Sequence, residues 1–421
     1  MADRARFGNL LSWLAAGAAV GVLAGSASAL FLWLLDLVTG FRTSHELIVF
    51  ALPLAGLLIG SVYERFGASI KAGNNLVIDT IHDHGPELPL RMAPMVLVGT
   101  VLTHLFGGSA GREGTAVQMG ASLSDFLAHR LRLSGPLRLQ VLAAGVAGGF
   151  GSVFGTPIAG TLFGLEFVVL GRIEYRALIP ALVAATVGDL TTRALGIVHT
   201  PYPAAPALGL SPLVLLKWAV FAAAVALTSA AFVELLHASK KLGERFLPRL
   251  GWRMCAGGAL IVLAWQLVGS SDYLGLGVPM IVRSFIDPAL PEYAFAAKLA
   301  FTALTLGAGF LGGEVTPLFF IGAALGNTLA GWLGLPLALG AAVGMATVFA
   351  TCSNTPLALS IMAVELVGAN VLPHVVIVAT IAYVLVGHRG IYPAQRLLHT
   401  KSGAPLEQGV TLRGEPPAPR P

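Results

Sequence analysis

Charge is scarce in this sequence. Of 421 residues only 11% are Asp, Glu, Lys or Arg, whereas 56% are hydrophobic and the mean hydropathy is +0.80. A soluble domain of this size needs far more charge to cover itself, so an aqueous globular fold is excluded and the chain is expected to sit in a bilayer. Cysteine is almost absent. Cys255 and Cys352 stand 97 positions apart, both beside apolar runs, and neither a disulfide framework nor a cysteine metal site can be built from two. The net charge of +5 suits basic loops facing inward. No basic stripe is interleaved with aromatics on a soluble face, which excludes a nucleic-acid partner.

What the chain has instead is apolar helix, from Leu10 almost to His388. Candidate helices lie near 8–38, 48–63, 89–106, 116–129, 136–149, 157–170, 176–193, 211–237, 252–268, 296–311, 317–332, 336–350, 356–369 and 372–387. Several are shorter than the roughly 20 residues that span a hydrocarbon core, which fits tilted, partial or re-entrant helices. The expected fold class is therefore all-α and polytopic. Arg4 and Arg6 precede the first apolar run, and Gly25-Ser26-Ala27-Ser28-Ala29 imitates a signal-peptidase site. The run continues through Leu30 to Val38, too long for a signal peptide, so an uncleaved first helix with a cytoplasmic N-terminus is expected. Further basic residues, among them Arg130, Arg132, Arg138, Lys240, Lys241, Arg245, Arg249 and Arg253, are needed to orient the rest. Beyond His399 the sequence turns polar and Pro-rich and reads as a disordered tail, 399–421, leaving no room for a soluble regulatory domain.

The chain repeats itself. Gly111-Arg112-Glu113-Gly114-Thr115 and Gly312-Gly313-Glu314-Val315-Thr316 carry the same short phrase, the glutamates 201 positions apart and the threonines likewise. Thr156-Pro157 with Glu166 recurs 199 positions on as Thr355-Pro356 with Glu365. Two halves, 1–200 and 201–398, follow, and a duplicated pair of Gly-broken apolar segments points to a transport site between them.

A helix that starts inside the membrane has first-turn N–H groups without partners, and its dipole adds partial positive charge there. Such a start is an anion seat. Four breaks qualify: Gly73-Asn74-Asn75, Gly107 to Gly111, Gly151 to Gly155 and Gly312-Gly313-Glu314. The alternative for each is glycine serving close helix packing. A carboxylate at membrane depth is costly and functional by default, so Glu113 and Glu314 are the sharpest residues. An acid that alternates between charged and neutral beside an anion seat can exchange protons for anions. The competing reading of Glu113 is a pair with Arg112 or a helix cap; Glu166 and Glu365, at the far ends of their helices, look structural.

These residues resemble the CLC family of anion channels and anion/proton antiporters over nearly the whole chain, to Leu398. Gly111-Arg112-Glu113-Gly114 is similar to the segment around the family's gating glutamate, Phe154 to Gly160 to the following helix start, Gly313 to Pro317 to the second-half anion loop, and Gly390-Ile391-Tyr392 to the segment of the central tyrosine. The resemblance implies the CLC fold: two inverted-topology repeats per subunit, a homodimer, and one anion pathway in each subunit. Three departures from the chloride-type pattern are similar to the fluoride-exporting branch. Asn74 stands where chloride members usually have serine, the gating motif ends in Thr115 rather than Pro, and Glu314-Val315-Thr316-Pro317 replaces a loop with an anion-facing Phe. Phe167 also stands where proton-coupled chloride members usually have a second glutamate.

A small, strongly hydrated anion demands strong donors in return for its water shell. Asn74, Thr316 and Tyr392 offer an amide and two hydroxyls; their alternatives are a helix cap, a back-bond within the helix and an interfacial aromatic anchor. Gly73, Asn75, Gly111, Arg112 and Val315 complete the expected binding set. The implied function is fluoride export in exchange for protons across a bacterial inner membrane, with Glu113 as gating proton carrier and Glu314 assisting on the inner side. A chloride/proton antiporter and a passive channel are the alternatives. Gly107-Gly108-Ser109-Ala110-Gly111 with His104 also matches a hydrolase nucleophile elbow, but that elbow needs a strand-turn-helix context, and no enzyme is expected. His82, Asp83, His84 and Glu87 have a metal-like density but read as a polar loop, and no metal or cofactor is expected.

Overall fold

The computed structural model describes residues 2–83, 87–133, 135–170, 173–399, 401 and 405–412. Eight helices lie in the first half: α1 (Ala2–Ser44), α2 (Leu52–Phe66), α3 (Asn74–Asp83), α4 (Met92–Leu105), α5 (Glu113–Arg130), α6 (Gly135–Phe154), α7 (Pro157–Glu166) and α8 (Leu178–Ala194). Eight follow in the second: α9 (Pro212–Phe246), α10 (Leu250–Val268), α11 (Val278–Arg283), α12 (Ala294–Gly307), α13 (Val315–Leu333), α14 (Leu337–Ser353), α15 (Pro356–Val367) and α16 (Leu372–Leu385). Six are long and apolar enough to cross a membrane, and several shorter apolar helices accompany them. Large apolar side chains such as Leu47, Leu227 and Leu267 are more than 70% exposed, a surface that suits lipid and not water.

Each half packs in the same pattern. α1 lies against α4, α5, α6 and α8, and α9 lies against α12, α13, α14 and α16; α6 contacts α5, α7 and α8 as α14 contacts α13, α15 and α16. Without a hydrophobic force between helices in lipid, small residues drive such packing by letting backbones touch. A Cβ on Gly120 would sit 2.2 Å from the Gly145 carbonyl oxygen, and one on Gly322 would sit 2.2 Å from that of Gly344. The α5–α6 contact and the α13–α14 contact are thus the same contact made twice.

The halves are joined by reciprocal caps. α7 and α15 both begin at Thr-Pro, and proline at the first helical position has no N–H to satisfy, so the first orphan donors are the next two amides. Ile158 N and Ala159 N donate to the Glu365 carboxylate at 3.0 and 2.7 Å, while Leu357 N and Ala358 N donate to Glu166 at 3.2 and 2.8 Å. Each half therefore caps a helix of the other, as two-fold-related copies do.

The helix expectations need four corrections. The helix expected to start at Gly73-Asn74-Asn75 has no apolar run to give its length; α3 runs from Asn74 through Asp83, so His82 and Asp83, read as polar loop, lie in its last turn. α11, six residues after the left-handed Gly277, is too short to leave a periodic pattern. The break expected at 151–155 falls at Gly155-Thr156, because Gly151 to Phe154 finish α6. The segment from His399 expected to be a disordered tail holds β3 (Pro405–Thr411), antiparallel to β2 (Arg396–His399), which runs parallel to β1 (Val169–Leu170). Pairing with an existing strand supplies the backbone partners that its composition alone could not.

Candidate functional site

Two glycines bring two helix starts together. Gly111 N donates to Gly313 O at 2.6 Å and Gly313 N to Gly111 O at 2.8 Å, a two-residue antiparallel bridge immediately before α5 and α13. Side chains would forbid it: a Cβ on Gly313 would stand 2.6 Å from Gly114 N, and one on Gly111 would stand 2.9 Å from Gly313 O. A third start joins them. A Cβ on Gly114 would be 3.1 Å from Asn74 Nδ2 and 3.7 Å from Glu314 Oε2, which places the opening residue of α3 and the residue before α13 against the first turn of α5. Three of the four expected breaks thus converge. The fourth does not, since the α7 start is taken by Glu365.

Glu113 lies in this junction with no solvent exposure. Its Oε2 accepts from Thr316 N and from Arg112 N, each at 3.1 Å, and its Oε1 accepts a short hydrogen bond from the Thr316 hydroxyl. Arg112 Nε is 3.4 Å from Oε1, a charge contact without hydrogen-bond geometry. The carboxylate therefore occupies the first turn of α13, the place a free anion would take at that helix end. Both earlier alternatives for Glu113, the Arg112 contact and a capping role, are present in the same arrangement, but the helix capped is α13, 200 residues away. Thr316 donates across the halves and not back within its own helix.

Among the described residues, three buried polar atoms around the junction have no hydrogen-bond partner: Asn74 Oδ1, Glu314 Oε2 and Arg112 Nε. Unsatisfied groups of this kind are rare in folded proteins. Tyr392 is 2% exposed, its ring edge-on to Phe167 at 5.0 Å between centroids. Its segment is tied to α3 by Ala394 N, which donates to Asn75 Oδ1 at 2.9 Å. Asn75, expected among the anion contacts, uses its amide oxygen to hold the Tyr392 turn. Gly73 supplies the left-handed φ of +58° that starts α3, and Val315 is buried at the start of α13.

Two contributors were missed from sequence. Thr100 shares a 2.7 Å hydroxyl contact with Thr115, and the side chain of Gln395, fully buried, bonds Phe167 O and the Ser353–Asn354 end of α14. Neither leaves a local pattern, because their partners lie on other elements. The hydrolase alternative fails on geometry. Ser109 Oγ meets Thr302 Oγ1 at 2.9 Å, while both His104 ring nitrogens face the Thr100 and Ala110 carbonyls at 2.8 and 3.0 Å, so no base addresses the serine. Of the polar loop, His82 lies 3.0 Å from Val168 O at the end of α3, and His84 falls outside the described residues.

Comparison with known proteins bears on the same residues. The chain is 46% identical over 414 residues, 96% of its length and 90% of the other's, to a protein of Pseudomonas syringae pv. tomato named chloride/fluoride channel protein. Among solved structures it is similar to a CLC-type fluoride/proton antiporter, with a TM-score of 0.89, 38% identity and coverage of 92% of this chain and 98% of that one. A slow cyanobacterial Cl−/H+ antiporter shares the fold at a TM-score of 0.76 and 19% identity, over 89% and 94% of the two chains. The model of the voltage gated chloride channel family matches residues 55–387, a span that holds all three converging helix starts. With its duplicated, multi-pass helical architecture and its broken helices facing one another, the chain belongs to that CLC family of membrane anion channels and transporters.

Proposed function

We propose that the protein exports fluoride in exchange for protons across a bacterial inner membrane, as a homodimer with one pathway in each subunit of two inverted repeats, 1–200 and 201–398. The observation that carries this reading is the Glu113 carboxylate seated on Thr316 N, Thr316 Oγ1 and Arg112 N, where it stands in for an anion. Protonated from outside, Glu113 loses its charge and its hold on those donors, and fluoride takes its place. The Thr316 hydroxyl and amide then turn from one anion to the other, joined by Asn74 and Tyr392. Glu113 carries its proton inward. Glu314, with a buried oxygen lacking a partner beside Asn74, receives or passes it on the inner side. Inward proton flow drives fluoride out.

Fluoride rather than chloride is supported by the donor set. A hydroxyl and an amide replace the apolar and smaller groups of the chloride pattern, and a small anion gains most from such donors. The names of the two more similar proteins, one a chloride/fluoride channel protein and one a fluoride/proton antiporter, agree. The word channel in the first makes passive conduction the second reading. Purified protein in liposomes decides between them: a fluoride gradient should move protons uphill, and Glu113→Gln should abolish that coupling. Proton pumping by Glu113→Gln would overturn the role of Glu113, and fluoride flux in the wild type without proton movement would establish the channel.

A further inference from the structure

We propose that Gln395 is a positioning residue for Tyr392, a buried amide that fixes the tyrosine turn to both halves of the chain at once. This rests on the reading above that Tyr392 donates to the anion. Gln395 is fully buried and three residues past Tyr392, and its backbone N–H closes the turn by donating to Tyr392 O at 3.0 Å. Its side-chain NH2 spends both hydrogens on helix ends: Phe167 O just past α7 at 2.9 Å, and Ser353 O at the end of α14 at 2.8 Å. Carbonyls at helix C-termini lack intrahelical partners, so one amide satisfies an orphan from each half. Its Oε1 accepts from Asn354 Nδ2 at 3.2 Å, and Asn354 is the left-handed residue that closes α14.

The tyrosine itself is clamped by what Gln395 holds. Phe167, whose carbonyl takes the first hydrogen bond, presents its ring to the Tyr392 ring at 5.0 Å. Ile391 N donates to Cys352 O at 2.9 Å, and Ala394 N to Asn75 Oδ1 at 2.9 Å, so the residues either side of Tyr392 are tied to α14 and to the start of α3. Gln395 bridges the α7 end and the α14 end with one amide. A carboxylate there has no hydrogens to give and would face two carbonyl oxygens, while an apolar side chain would leave both carbonyls unmet. Either change frees the turn, and the phenol no longer points where the anion sits.

A double-mutant cycle on fluoride flux in liposomes tests the assignment. Gln395→Met and Gln395→Glu are expected to raise the fluoride KM about tenfold, with a smaller change in kcat, as the loss of one aligned donor does. In a Tyr392→Phe background the same changes are expected to add less than about twofold, because there is no hydroxyl left to aim. Full, additive effects in that background would overturn the inference and leave the role of Tyr392 standing. A Tyr392→Phe protein with the wild-type KM would remove the role of Tyr392 and, with it, the inference. Should these Gln395 variants fail to give monodisperse protein, Gln395→Asn, which keeps the amide on a shorter stem that cannot reach both carbonyls, runs the same cycle with the same outcomes.

Discussion

Glu113 and Thr316 meet across 203 positions, and the hydrogen bond between them puts a carboxylate and the first turn of α13 in one place. Thr316 gives two donors there, amide and hydroxyl, of which only the hydroxyl can be removed by substitution. Thr316→Val keeps the branched shape and the amide but withdraws the hydroxyl; loss of a hydrogen bond to a charged partner costs about 1.5–3 kcal/mol, so fluoride affinity is expected to fall roughly tenfold to a hundredfold. Thr316→Ser is expected to stay near the wild type. Fluoride-electrode titration of proteoliposome flux reads both, and a wild-type Thr316→Val beside an impaired Thr316→Ser would show that shape, not the hydroxyl, matters. At this scale the proposed site residues were legible where they broke an apolar run, as Glu113 and Glu314 do, or stood in a segment resembling a known one, as Asn74 and Tyr392 do. Gln395 was not: it is one polar residue near a helix boundary, and its partners are two helix-end carbonyls that no local pattern encodes.

Among elements, α7 and α15 show how a motif can be seen and its reason missed. The repeated Thr-Pro with a glutamate ten positions on was visible twice, and the glutamates were read as structural, but not as capping the opposite half. The geometry explains the spacing: proline removes one orphan donor, and the carboxylate takes the next two. Glu365→Ala leaves Ile158 N and Ala159 N without partners in a membrane, where unmet donors cost about 1–3 kcal/mol each. The expected result is a lower thermal-unfolding temperature in detergent, with residual fluoride selectivity unchanged in the protein that remains folded. A protein as stable as the wild type would mean that water or lipid replaces the cap. Packing glycines belong to the same scale. At Gly322 a Cβ would come within 2.2 Å of a backbone oxygen of α14, which cannot yield as a flexible side chain would, so Gly322→Val is expected to push α13 away and abolish monodisperse protein. The elements that escaped the sequence, α11 and β3, and the extent of α3 beyond its expected start are those whose stability comes from docking on others, since none carries a long apolar period of its own.

At the scale of the whole molecule, the proposed plan of two inverted repeats makes opposite demands on the two halves. With Arg4 and Arg6 inside, α1 runs outward; inversion then requires α9, which holds the corresponding place in the second half, to run inward. The sequence of α9 agrees. Its 35 residues begin at Pro212 in an uncharged stretch and end in Lys240, Lys241 and Arg245, the basic excess that marks a cytoplasmic end. The two ends present exposed positions for a direct test, Leu210 just before the helix at 51% exposure and Leu242 near its end at 55%. In a chain with Cys255 and Cys352 replaced by Ala and Ser, Leu210→Cys is expected to react with a membrane-impermeant maleimide on intact cells, and Leu242→Cys only after permeabilisation. The antiparallel Gly111–Gly313 bridge before α5 and α13 is what two oppositely directed copies would produce. The reversed pattern, Leu242→Cys labelled on intact cells and Leu210→Cys only after permeabilisation, would contradict the inverted arrangement with α1 running outward, and labelling of both from one side would contradict a membrane-spanning α9.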